Sequence, residues 1–240
     1  MGFFKNKNEL ETLGFSVIND IYSNEEVEQI TSLIEHSCSE SDNFLKSEDL
    51  YAIRQFVKEI PEIKNLIFNQ KLKKVISDIG DDNFFIIKSI YFDKPETSNW
   101  FVSYHQDLTI SVDRKEAVED FRGWTTKNNQ FAVQPSLDIL ENIFTVRIHL
   151  DETNKENGAL KVIDKSHLKK IYRPENINFE TEKETFCDVQ KGGIMLMKPL
   201  LLHGSNRTKN KKRRRVIHIE FSSKVLPNNL NWSEYSPINN

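Results

Sequence analysis

Apolar positions along the chain change texture near residue 80. Before it they recur at the three- and four-residue spacing of amphipathic helices; from Phe84 onward they come in short β-branched and aromatic runs cut by polar turns. In the first part, Phe15–Ile18 reads as a short strand. Ser23-Asn-Glu-Glu26 is a capping box, and Val27, Ile30, Leu33 and Ile34 behind it predict a helix. A second amphipathic segment is expected over Ala52–Phe56. A third is expected from Pro61 to Ile79, with Ile63, Leu66, Ile67, Leu72, Val75 and Ile76 apolar. In the second part the expected strands are 84–92, 101–105, 144–150, 160–163, 193–197, 200–203 and 215–221. Asn157-Gly158 is a turn dipeptide between two of them.

Many short strands with few helices between them predict a mainly β fold with flanking α, a sandwich or barrel of jelly-roll type, with the N-terminal helices packed on one sheet. One domain is expected over 1–240, with a helical part at about 1–80, a β core at about 84–222 and a loose tail at 223–240. The polar stretch 113–142 has no clean strand period and is read as an insertion, a candidate lid.

Composition narrows the class. The chain has 240 residues, 38% apolar and 29% charged, enough for a substantial core and not a disordered pattern. A formal charge of −3 points away from nucleic acid and membrane surfaces. Two distant cysteines, Cys38 and Cys187, make no disulfide framework, and no signal peptide or transmembrane-length run is seen. A cytoplasmic protein, monomeric or homodimeric and acting on a small molecule, is expected.

Candidate chemistry starts at His105-Gln-Asp107. On a strand, residues two apart share a face, so an imidazole and a carboxylate would project together. Alone the pair is weak, and a surface histidine beside a solvated aspartate explains it better. Gly192 through Ser205 adds an apolar strand pair ending in His203, either a core histidine or a ligand at a barrel mouth. Two histidines and a carboxylate that leave coordination positions open suit non-haem iron(II). Arg214 enters a strand eleven residues later. A guanidinium in a barrel needs an anionic partner, which a dicarboxylate would supply.

Three blocks together carry a family resemblance: Tyr104 to Thr109, Glu156 to His167, and Gly192 to Phe221. With the opening Gly14–Ile18, they make residues of about 10–222 resemble the phytanoyl-CoA dioxygenase (PhyH-like) family of iron(II)/2-oxoglutarate oxygenases. The resemblance implies a double-stranded β-helix of cupin-like type. It implies that His105, Asp107 and His203 bind iron(II), and that Arg214 takes the far carboxylate of 2-oxoglutarate, assisted by Ser205. Thr109 and Arg147 are further candidates on the co-substrate side. O2 would then be used to convert 2-oxoglutarate to succinate and CO2, with hydroxylation of a C–H bond as the default outcome. The carboxylate of Asp107 argues against halogenation. A zinc-type hydrolase on the same ligands and a non-catalytic binding protein are the alternatives.

The remaining candidates have plainer readings. Thr145, Arg147 and His149 share one strand face, which either lines the barrel or holds a structural ion pair. His218 alternates with Arg214 and is read as structural; His167 is read as a local hydrogen bonder and His36 as solvated. Six basic residues in the seven from Lys209 to Arg215 are read as a solvated loop rather than a nucleic-acid patch. Trp100, Trp124 and Phe131 are read equally as a substrate lid or as core.

Overall fold

The structure, a computed structural model, describes residues 2–37, 43–46, 51–96, 101–127 and 130–238. Cys38 and Trp100 lie outside them. The helices are α1 (Phe4–Leu13), α2 (Asn24–His36), α3 (Phe56–Glu59), α4 (Ile63–Ile67), α5 (Gln70–Ile79) and α6 (Leu137–Asn142). The strands are β1 (Phe15–Ile18), β2 (Phe44–Lys46), β3 (Tyr51–Arg54), β4 (Phe85–Lys94), β5 (Val102–His105), β6 (Ile110–Val112), β7 (Arg122–Lys127), β8 (Gln130–Gln134), β9 (Phe144–His149), β10 (Leu160–Ile163), β11 (Glu184–Phe186), β12 (Ile194–Met197), β13 (His203–Ser205), β14 (Arg214–Ser222) and β15 (Ser236–Pro237).

A large antiparallel sheet runs β1-β12-β9-β14-β4-β3-β2, with β15 also paired to β4; a smaller sheet runs β11-β10-β13-β5. The two make the expected jelly roll. On the large sheet's outer face, Val146, Ile148, Ile217, Ile219 and Phe221 pack against Ile30, Ile67, Leu72 and Ile76 of the helices in one buried cluster. Each such side chain removes apolar surface from water, worth about 1.5–3 kcal/mol. The capping box that starts α2 is formed, with Ser23 Oγ accepting from the Glu26 amide and Glu26 accepting from the Ser23 amide. Met195 and Met197 from the large sheet meet Leu160 and Val162 from the small one, closing the barrel at one end. At the other end polar residues remain inside.

A β-bulge decides which ones. Glu220 on β14 pairs with Lys88, but Phe221 pairs with Ile86, so Ile87 is skipped in the β4 register. Strict alternation would send Lys88 to the same side as Ile86, into the helical core. The extra residue sends Lys88, Ile90 and Phe92 to the barrel interior.

Several expectations are corrected. The segment Ala52–Phe56 is not a helix: Tyr51–Arg54 pairs with β4, and only Phe56–Glu59 is helical. The helix expected over 61–79 is two, because the Asn69 side chain accepts from the Leu72 amide and starts α5 afresh. Residues 198–201 form a turn closed by the Leu201 amide on the Lys198 carbonyl, and His203 opens β13 rather than closing a strand. The stretch 113–142 contains β7, β8 and α6, and β6-β8-β7 forms a third sheet. The tail is not loose: Leu226, Leu230 and Trp232 are buried against Ile110, Val112 and Phe121, and Ser236 pairs with Ile86. Its Asn-, Pro- and Ser-rich composition hid that anchoring, which rests on three well-spaced apolar side chains. The helix α1 has no side-chain cap and buries only Leu10, so its pattern gave little signal.

Candidate functional site

The neighbouring strands β5 and β13 set His105 directly opposite His203. The ring centroids are 4.2 Å apart. A Cβ on Gly204 would lie 2.8 Å from the Val102 carbonyl oxygen, so this close approach of the two strands requires glycine. Each imidazole donates its Nδ1–H to a backbone carbonyl, His105 to Ser103 at 2.8 Å and His203 to Leu201 at 2.9 Å. That tautomer turns both Nε2 lone pairs toward the interior, as metal-binding histidines require.

Asp107 arrives differently from the strand-alternation expectation, because β5 ends at His105. Its amide donates to the Pro199 carbonyl at 2.9 Å. The residue between the two, Gln106, does the holding. Its amide nitrogen donates to the carbonyls of Leu200 at 2.5 Å and Lys170 at 2.7 Å, and its oxygen accepts from the Tyr172 amide at 2.9 Å. The result places Asp107 Oδ1 4.0 Å from His105 Nε2 and Oδ2 3.7 Å from His203 Nε2. The three ligand atoms lie within 4.8 Å of one another. Oδ2 has no hydrogen-bond partner among the described residues although it is buried.

These three residues open onto a cavity of about 250 Å³ that also contains Arg147, Ser205, Arg214 and His218. Burial pushes the Asp107 carboxyl upward, but His203, Lys88 and His218 around it prevail and hold it well below the usual carboxylate range. Burial lowers His203 to about 4, against the pull of Asp107, so its ring is neutral and ready to donate a lone pair. Arg214 is buried, with Nε and Nη1 unpartnered among the described residues; burial and then Arg147 lower it to about 9. A guanidinium in that state lacks an anion.

Arg147 faces the same cavity, which settles the orientation of its strand face. Its Nη1 donates to His218 Nδ1 at 3.0 Å, so the His218 proton is on Nε2, donated to Glu220 Oε1 at 3.0 Å. The same oxygen accepts from Lys88 Nζ at 2.7 Å. His218 therefore both lines the cavity and fixes the arginine. Lys88, Glu220 and Gln106 escaped the sequence reading. Lys88 depends on the bulge, Glu220 shows its role only through its partners Lys88 and His218, and Gln106 is the unnamed middle residue of His-x-Asp.

Other candidates fall elsewhere. Thr109 does not line this cavity; it lines an adjacent one of about 280 Å³ that shares Lys88 and Ile90 with it. His149 is buried and bonds Thr153 Oγ1 at 2.7 Å. His167 bonds the Glu11 carbonyl, and His36 is exposed. Of the basic run, Arg213 pairs with Asp93 and Arg215 with Asp151, leaving Arg214 alone turned inward. Trp124 and Phe131 pack against the third sheet's core. No helix among the described residues is long and apolar enough to cross a membrane.

A family model described as phytanoyl-CoA dioxygenase (PhyH) matches residues 10–216. A phytanoyl-CoA dioxygenase domain-containing protein 1 homolog of Caenorhabditis briggsae is 24% identical over 196 residues, covering 72% of this chain and 58% of that protein. The chain thus spans little more than half the length of that curated relative. Among solved structures, EctD from S. alaskensis with 2-oxoglutarate and 5-hydroxyectoine superposes with a TM-score of 0.70 at 17% identity, covering 91% of this chain and 75% of its own. The non-haem α-ketoglutarate-dependent epimerase SnoN from nogalamycin biosynthesis gives 0.69 at 10% identity, covering 99% and 98%. At such identities the likeness is one of fold.

Proposed function

The chain belongs to the phytanoyl-CoA dioxygenase family, and from that premise we propose that it is an iron(II)- and 2-oxoglutarate-dependent dioxygenase that hydroxylates an unactivated C–H bond of a small molecule. The observation that carries the reading is the pairing, in one cavity, of three convergent metal ligands with a buried, unpartnered guanidinium. The donor set of two imidazoles and one carboxylate fits iron(II). The orphaned nitrogens of Arg214 fit the far carboxylate of a dicarboxylate. When bound, the iron with 2-oxoglutarate and O2 supplies the oxidation.

The residues do the rest. His105 and His203 offer Nε2, held by their Nδ1–H bonds to backbone carbonyls. Asp107 offers an ionised carboxylate, kept so by the surrounding cations. Arg214 fixes the co-substrate's orientation by a paired charge-assisted contact, and Ser205, which also lines the cavity, assists it. Arg147, locked by His218, adds a second positive charge near Asp107 and balances the anionic ligands. The zinc-hydrolase alternative gives Arg214 no partner, and the nearby carboxylate Glu220 is already engaged by His218 and Lys88.

Anaerobic titration of the protein with iron(II) and 2-oxoglutarate tests the reading. A weak visible charge-transfer band that is lost in His203→Ala is expected, together with succinate formation in air. Iron binding without a band sinks the co-substrate assignment.

A further inference from the structure

We propose that the second cavity is the substrate chamber and that Arg54 in it receives an anionic group, carboxylate or phosphate, of a small hydroxylated substrate. This rests on the oxygenase reading above. The chamber lies between the barrel's inner face and the third sheet, with Thr125 and Gln130 from that sheet and Ser233 from the tail on its walls. It adjoins the metal cavity at Lys88 and Ile90, which line both.

Strand register locates the arginine. Arg54 pairs with Ile90, Ile90 with His218, and His218 with Arg147. Directly opposed residues share a face, so Arg54 sits in the same transverse row as the cavity residues, two strands from His218. At about 4.8 Å per strand that is roughly 10 Å.

The polar balance of the chamber names the group. Its carboxylate, Glu234, is satisfied: one oxygen accepts from the Ser89 amide at 2.7 Å and the other from the Ser89 hydroxyl. Lys88 is engaged by Glu220. The Arg54 guanidinium has no hydrogen bond or ion pair to any described residue, its backbone amide donating to the Asn43 carbonyl at 2.9 Å, so the unmet demand is for acceptors. Gln55 beside it holds a left-handed backbone (φ 50°), a costly conformation that keeps this strand end turned into the chamber. Hydroxyls of Thr109, Ser111 and Ser233 and the side-chain oxygen of Gln130, whose nitrogen donates to Asn43 Oδ1 at 2.6 Å, suit hydroxyl groups, whereas Ile90 and Ala132 alone are apolar. That lining is unsuited to a branched fatty acyl chain.

The test is calorimetric titration of the full chain with gluconate, glucose 6-phosphate and glucose, both metal-free and loaded anaerobically with iron(II) and 2-oxoglutarate. At least one anionic probe is expected to bind about 10- to 100-fold more tightly than glucose, the range of a charge-assisted contact. The preference should disappear in Arg54→Ala, return in part in Arg54→Lys, and persist in Arg214→Ala. Gluconate alone would indicate a carboxylate, and glucose 6-phosphate alone a phosphate. Equal or absent binding of the three probes, or a preference that survives Arg54→Ala, overturns the proposal. If 2-oxoglutarate fails to bind the wild-type protein, the oxygenase reading falls, and the metal-free titrations still judge Arg54 separately.

Discussion

Replacing Arg214 with methionine is expected to weaken 2-oxoglutarate binding by at least about 30-fold, while the melting temperature of the ligand-free protein rises rather than falls. The side chain is buried, two of its nitrogens lack a partner among the described residues, and burial, with Arg147 beside it, lowers its pKa to about 9. Each tenfold step of that lowering corresponds to about 1.4 kcal/mol by which burial disfavours the charged form. Methionine has similar length and no charge, so it removes this cost without opening a large hole. Even a net gain of about 1 kcal/mol would raise the melting temperature of a chain this size by roughly 2–4 °C. Binding moves oppositely, because truncating one partner of a buried charge pair costs about 2–5 kcal/mol. Differential scanning fluorimetry on the ligand-free protein and calorimetric titration with 2-oxoglutarate read the two effects separately. Unchanged affinity would refute the co-substrate role. A melting temperature lowered by several degrees would show that Arg214 serves the fold, and the argument from its unpaired charge would fail.

The two candidate ligand histidines should separate on stability. His105 is 43% exposed and His203 5%, so both alanine variants lose iron(II) in a binding assay, but only His203→Ala opens a cavity and lowers the unfolding free energy, by about 1–3 kcal/mol in urea titration. Burial raises Glu234 to about 7, so the folded state binds its proton more tightly than the unfolded state; its stabilisation is complete below the unfolded value of 4.5 and is lost as pH rises through about 7. Glu234→Gln should therefore flatten the fall in stability between those pH values, and a wild-type slope retained in the variant would remove the assignment. Trp232→Ala should cost about 3–5 kcal/mol, because the indole packs in the third sheet's core and donates to the Lys224 carbonyl at 2.9 Å; limited proteolysis would then cut the tail first.

Local rules legible in the sequence settled a good part of this protein. The period-two alternation of Val146, Ile148 and Leu150 against Thr145, Arg147 and His149 marked β9 and its two faces, and Ser23-Asn-Glu-Glu26 marked the start of α2, because side-chain direction and capping depend on near neighbours. His105, Asp107, His203 and Arg214 were nameable from spacing combined with family resemblance, and the fold brings all four to one cavity. Tertiary structure decided what rests on partners distant in sequence. The bulge at Ile87 turns Lys88 inward, and only a paired strand can define a bulge. Gln106 holds the ligand loop through Leu200, Lys170 and Tyr172, none within sixty residues of it. The strand at Ala52 looked helical because its apolar residues also face a helical core, and pairing with β4 overrode that pattern. The tail looked loose because its few apolar anchors gain energy only where Ile110 and Phe121 meet them, a surface that exists once the chain has folded.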